Sequence, residues 1–224
     1  MTITPTSLLS ELAVHHAGAT RVFDRHGLDY CCHGRVPLAT ACERKNLDVA
    51  AVMSELQGAV ADDSEDLDRS GQPLPELIDH ILARFHEDHR QELPRLTAMA
   101  RKVEAVHRDK PLCPAGLADH LAAMSEDLES HMGKEEQVLF PAIRSGTIPV
   151  DAPVACMEQE HREHALNLER LRELAHDFEP PEHACGTWRA LYLGLAQLEH
   201  DLHRHIHLEN NILFPRALAA GGDA

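Results

Sequence analysis

Leu117, Leu121, Met124, Leu128, His131, Glu135 and Val138 recur at alternating steps of four and three, and so do Leu191, Leu195, Leu198, Leu202, His205, Glu209 and Ile212. Each position of the second run stands 74 residues after its partner in the first. Such spacing marks the inward seam of a helix packed in a bundle. Two shorter lines, His86, His89, Leu93, Leu96 and His161, His164, Leu168, Leu171, repeat at an offset of 75. The chain from 74 to 220 therefore reads as a duplicated helix pair, with helices expected near 75–107, 115–144, 152–178 and 186–218. Both halves run into Leu-Phe-Pro, at Leu139-Phe140-Pro141 and Leu213-Phe214-Pro215. Pro94, Pro141 and Pro215 each remove one backbone hydrogen bond and should kink or close their helices. The short connections at 110–114, 146–153 and 179–182 favour antiparallel neighbours. The expected fold is all-α, an antiparallel four-helix bundle running up-down-up-down.

Residues 1–60 read as a separate small helical domain. Pro5 suits the first turn of one helix, and a second should cover 17–26. Gly27-Leu28-Asp29-Tyr30 breaks it, Cys31-Cys32-His33-Gly34 follows, Pro37 can open a third helix to about Lys45, and a fourth lies near 49–59. Residues 61–73 are acidic, poor in apolar side chains and broken by Gly and Pro, which makes them a linker by composition. With so little to pack against, this linker predicts that the front unit is removable and that a chain beginning near Gln72 still folds.

Composition narrows the class. Aromatic residues are only 4% while Leu, Ala, Glu, Arg and His dominate, which suits an all-α protein. A formal net charge of −16 argues against nucleic acid and anionic membrane surfaces as partners. No apolar run approaches the roughly 18 residues that would span a bilayer. The N-terminus lacks the basic and apolar regions of a signal peptide, so a cytoplasmic chain with its six Cys as thiols is expected. The 18 His are the compositional outlier, and they cluster in the expected helices.

A carboxylate on a buried seam is costly unless a positive group pairs with it, and the two seams carry no Lys or Arg. His and Glu at i, i+4 point the same way one turn apart. A metal ion is the simplest compensating charge. A lone His on an apolar face is usually a hydrogen-bonded core residue, and duplication would copy it. Two seam Glu with four His on four helices outweigh that reading. The candidate ligands are His86, His131, Glu135, His161, His205 and Glu209. They are too many for one zinc. They suit two ions with two His each, both Glu bridging and a solvent-derived bridge, leaving one open position per ion. The donors favour Fe, less strictly Mn or Zn. Open positions imply a small ligand such as O2 or NO, or a labile metal.

His89 and His164 sit one turn beyond a proposed ligand on the same face, and spacing alone does not choose between the members of each pair. Asp127 and Asp201 each precede a ligand His by four and could accept its second N–H, or could belong to a solvated acidic flank. His203, His207, His80, His107 and His120 read as surface or loop residues. The Glu-x-x-His of ferritin-like centres fits at Glu158 and His161, but Ala83 stands at the matching position of the first copy, which sets that reading aside. Adjacent Cys31 and Cys32 rarely bridge each other. They are either small half-buried residues at a turn or a thiol pair that handles metal, NO or redox equivalents, the latter depending on a lowered pKa.

The duplicated His and His-x-x-x-Glu pattern, with the strings His131-Met132-Gly133-Lys134-Glu135-Glu136 and Leu208-Glu209-Asn210-Asn211, resembles the hemerythrin-like HHE bundle. The string Gly27-Leu28-Asp29-Tyr30-Cys31-Cys32-His33-Gly34 resembles the Cys-Cys domain found ahead of that bundle, with His33 where some relatives have Gly. Together they resemble the RIC (repair of iron centres) di-iron proteins over nearly the whole chain. The resemblance implies two non-haem iron ions per chain, oxo- or hydroxo-bridged, in a cytoplasmic setting. It implies repair of iron–sulfur clusters damaged by nitrosative or oxidative stress, with damaged iron–sulfur proteins as partners and iron donation as the means. It favours His86 over His89 and His161 over His164. Oxygen-carrying hemerythrin uses more His, which weakens a reading as an O2 carrier. The competing expectations are a di-iron NO reductase and a module that senses or stores O2, NO or iron. A homodimer through the front domain is a further expectation.

Overall fold

The computed structural model describes residues 2–16, 18–59, 69 and 71–221. Its regular structure is helical, as expected, and among the described residues the one β contact is a bridge between Leu8 and Pro37. By compactness the chain divides into Asp79–Leu202 and a second unit that joins the described residues up to Ile78 to those from His203 onward.

The helices that carry the seams follow the expected order. The first runs as α5 (Leu74–Ile81), a π-helical turn (Leu82–His86) and α6 (Glu87–His107). The second is α7 (Leu117–Lys134), a π turn (Glu135–Leu139) and α8 (Phe140–Ser145). The third is α9 (Asp151–Leu174) and the fourth begins with α10 (Gly186–Leu208). Within Asp79–Leu202, residue pairs fix the directions. Arg90 meets Glu129 while Glu104 meets the Ala118 amide, so α6 and α7 are antiparallel. His131 meets Glu160 while His120 meets the Asn167 carbonyl, so α7 and α9 are antiparallel. Arg84 meets Asp201 while His107 lies against Trp188, so the first helix and α10 are antiparallel. The seam residues Leu93, Leu96, Leu117, Leu121, Leu128, Leu168, Leu171, Leu191 and Leu195 are buried between them.

Three details depart from the sequence pattern. The third helix stops at Leu174 rather than 178, because His176, Asp177 and Phe178 adopt positive φ and turn the chain away. Pro94 sits inside an unbroken α6, and the breaks occur instead at π turns. In the turn after α7, the Phe140 amide bonds the Glu135 carbonyl five residues back, and Pro141 follows as a first-turn residue of α8. This extra residue per turn moves Val138 off the seam, where it is 57% exposed, and puts Leu139 inside.

The second unit contains α1 (Leu9–His15), α2 (Ala19–His26), α3 (Leu38–Arg44) and α4 (Val49–Ala59). Pro5 lies in a turn ahead of α1 rather than in its first turn. This unit also holds the end of α10, a π turn (Glu209–Leu213) and α11 (Phe214–Gly221). Tyr30 is fully buried, with its ring centroid 5.7 Å from Phe23, 6.1 Å from His203 and 5.4 Å from His207. Asn210 Nδ2 donates to the Cys31 carbonyl (2.9 Å) and Asn211 Nδ2 to the Tyr30 carbonyl (3.1 Å). His207 is therefore a buried residue under Tyr30, not the surface residue its polar neighbours suggest. The turn Glu209–Leu213 also packs with α1, which is why Ile212 is buried while its counterpart Val138 is not. Most of the expected linker at 61–73 lies outside the described residues.

Candidate metal centre

Within Asp79–Leu202, His86, His131, Glu135 and His161 are all buried. Glu135 opens a π turn and His86 closes one, so widened turns set two of these four side chains. Glu135 presents Oε2 to His86 Nε2 and Oε1 to His131 Nε2, each at 3.4 Å. His131 Nε2 and His161 Nε2 lie 3.1 Å apart. Donor atoms of His131, Glu135 and His161 fall within 4.8 Å of one another. In the other unit, His205 Nε2 lies 3.1 Å from Glu209 Oε1, both fully buried and one turn apart. Glu209 again opens a π turn, so the duplicated His-x-x-x-Glu keeps one geometry in both copies.

The outer nitrogens show which atoms face inward. His86 Nδ1 lies 2.8 Å from Glu136 Oε1, and His131 Nδ1 lies 2.9 Å from Glu160 Oε2. A carboxylate at Nδ1 holds the proton there and turns the Nε2 lone pair toward the interior. Imidazole lone pairs and the oxygens of Glu135 therefore converge on the same space. Groups of that polarity fit a cation between them, and His plus carboxylate is a donor set that suits iron. Arg90 secures the first outer pair by donating to Glu136 Oε1 (2.8 Å) while it also grips Glu129. Lys134 bonds Glu160 in the second. Burial pulls the Glu136 carboxyl up, but the bonds from Arg90 and His86 outweigh it and the net shift is downward.

The outer partners correct one expectation. Asp127 is exposed, and Asp201 takes its bonds from Arg84 Nη2 (2.8 Å) and Gln197 Nε2 (2.9 Å) rather than from a ligand His. Glu136 and Glu160 do that work, each adjacent in sequence to a candidate ligand. Helical spacing misses them because i±1 neighbours do not share a face; each reaches across to the next helix. His89 and His164 are buried too, His89 with its ring near Phe85 and His164 edge-on to His131 at 4.9 Å. Neither belongs to the converging donor groups found among the described residues, whereas His86 and His161 do.

Cys31 and Cys32 are thiols with their sulfurs 3.6 Å apart. Asp29 Oδ1 accepts the amides of Cys31 (3.1 Å) and Cys32 (2.9 Å) and the Cys31 thiol (3.3 Å). The hydrogen bond with Cys32, then burial and the neighbouring Asp29 charge, push the Cys31 thiol well up, so Cys31 is no ready thiolate nucleophile.

Residues 77–217 match the hemerythrin HHE cation binding domain, and residues 6–60 match ScdA_N, a domain of unknown function also called DUF542. The chain belongs to the hemerythrin HHE family. Its relatives include the iron-sulfur cluster repair protein YtfE of Yersinia pseudotuberculosis serotype O:1b, 46% identical over 94% of this chain and 96% of the relative. The protein of that name from Yersinia pestis strain Pestoides F is similar to the same extent. The HHE match and the front-domain match together cover the two motifs on which the resemblance to the RIC proteins rests. Among the described residues, no helix is long and apolar enough to cross a membrane.

Proposed function

We propose that this member of the HHE family is a non-haem di-iron protein of the cytoplasm that repairs iron–sulfur clusters damaged by nitrosative or oxidative stress, by donating iron. The similarity over 94% of the chain to proteins named for iron–sulfur cluster repair carries this reading. The donor chemistry supports it. Glu135 turns one oxygen toward His86 and the other toward His131, as a bridging carboxylate must. The ions would be held by His86, His131, Glu135, His161, His205 and Glu209. Bound iron supplies redox chemistry and open positions for NO or O2. The chain's own residues hold the His86 and His131 imidazoles in the right tautomer through Glu136 and Glu160 and keep the carboxylates out of water. The partners are damaged iron–sulfur proteins.

The test is anaerobic incubation of the reduced, iron-loaded protein with an NO-damaged iron–sulfur enzyme. Recovery of the enzyme's activity matched by loss of iron from this chain is the expected result. Turnover of NO to N2O with no iron transfer would replace repair with an NO-reducing activity.

A further inference from the structure

We propose that Asp29, Cys31 and Cys32 form a second cation site, separate from the buried His and Glu set, that takes one thiophilic divalent ion of the Zn2+ type.

The distances carry the inference. One carboxylate oxygen and the two sulfurs lie within 4.8 Å of one another. The sulfurs are 3.6 Å apart and the Cys31 sulfur is 3.3 Å from Asp29 Oδ1. Two thiolates bound tetrahedrally at about 2.3 Å stand roughly 3.7 Å apart, and a thiolate and a carboxylate oxygen about 3.5 Å. Two of the three donor–donor distances already match such a tetrahedron, and the third lies within 4.8 Å. A disulfide would need the sulfurs at about 2.05 Å.

The loop is built before any ion arrives. Asp29 is fixed by the amides of Cys31 and Cys32 and, through Oδ2, by His33 Nδ1 at 2.6 Å. The chain leaves the motif through Gly34, where a Cβ would fall 2.2 Å from the Tyr30 carbonyl oxygen, so only glycine closes the loop. The Ser10 amide bonds the Gly34 carbonyl (2.9 Å) and the Leu9 amide the Val36 carbonyl (3.1 Å). Asn210 and Asn211 hold the carbonyls of Cys31 and Tyr30. Ordering the donors thus costs little on binding.

Binding would release one proton from each thiol as two metal–sulfur bonds form, with no change of oxidation state. Two charges enter and two protons leave, so the local charge is unchanged. Cys31 is buried, Cys32 and Asp29 are half-buried and His33 is exposed, so the ion would enter from the Cys32 and His33 side and keep its fourth position toward solvent.

The test is titration of the reduced, iron-loaded full chain with Co2+ under anaerobic conditions. The expected result is one equivalent of Co2+ with a thiolate-to-cobalt charge-transfer band, reversed by Zn2+, while the iron content stays constant. Cys31→Ser and Cys32→Ser should each abolish the two-thiolate spectrum. Asp29→Asn keeps the amide acceptor and should weaken Co2+ binding at least about tenfold. A Cys113→Ser, Cys156→Ser, Cys185→Ser variant should bind as the parent does. No thiolate band in the parent chain, or one that survives replacement of both Cys31 and Cys32, overturns the proposal. Iron measured on the same samples keeps this result separate from the fate of the repair reading.

Discussion

Glu135 faces a histidine with each oxygen, and that division of labour leaves little room for substitution there. Glu135→Ala should lose most of the iron from a protein that otherwise holds about two per chain, and Glu209→Ala should do the same. Iron assay with the visible spectrum decides it; full iron in both variants would mean that the seam carboxylates bridge nothing. His86→Ala and His161→Ala should disrupt the centre, while His89→Ala and His164→Ala should leave it largely loaded. The reverse ranking would move the centre one turn along both helices. Glu136→Ala and Glu160→Ala remove the groups that hold Nδ1 protonated on His86 and His131, and each should lower iron affinity about 10–100-fold. At this scale the sequence disclosed the inward residues, because a buried His and Glu violate the apolar seam around them. The outer carboxylates left no such trace. Glu136 and Glu160 look like any surface acid until the neighbouring helix is in place.

Helices were legible from their four-and-three spacing, and the duplicated halves doubled the signal. The π turns were not. Glu135–Leu139 and Glu209–Leu213 each interrupt a spacing that continues unbroken in the sequence, and the exposure of Val138 is the mark the first of them leaves. Such turns are rare and gather at functional sites; here each opens on a candidate bridging Glu. The turn Glu209–Leu213 also grips the front loop through Asn210 and Asn211. Each of those bonds contributes on the order of 0.5–1.5 kcal/mol. The Asn210→Ala, Asn211→Ala double variant should lose about 2 kcal/mol of stability. It should also expose the amides of 27–36 to faster hydrogen exchange, measured by mass spectrometry. Unchanged exchange across that loop would mean the two asparagines are bystanders.

For the whole molecule, acidic composition at 61–73 suggested a front domain that could be cut away. The packing of Tyr30 on His203 and His207, and of α1 on the turn Glu209–Leu213, argues otherwise. Sequence spacing had no means of showing this, since contacts 170 or more residues apart leave no local periodicity. Burial of one large side chain such as Tyr30 is worth roughly 1.5–3 kcal/mol, so a chain beginning at Gln72 should melt well below the full chain. Equal melting temperatures would restore the simpler picture of an independent bundle. The chain has only two tyrosines, Tyr30 and Tyr192, and burial raises both phenol pKa values above 10.0. A raised folded pKa leaves its contribution to stability intact below pH 10 and forfeits it as the pH climbs through the folded value. Tyrosinate absorbance should therefore appear only together with loss of helical circular dichroism. A gradual rise near pH 10 with the helices intact would contradict the buried placement of both rings.

A single helical turn bears Glu209 on its inner side and grips the cysteine loop with the two residues that follow. If iron binding at Glu209 stiffens that turn, it strengthens the hold on the loop. Thermodynamic linkage then runs both ways by the same factor. A cation at Cys31 and Cys32 would tighten iron as much as iron tightens the cation, and removing either would loosen the other. Alkylation of Cys32 in iron-loaded and iron-stripped protein would read that exchange directly, with the slower rate expected when iron is present.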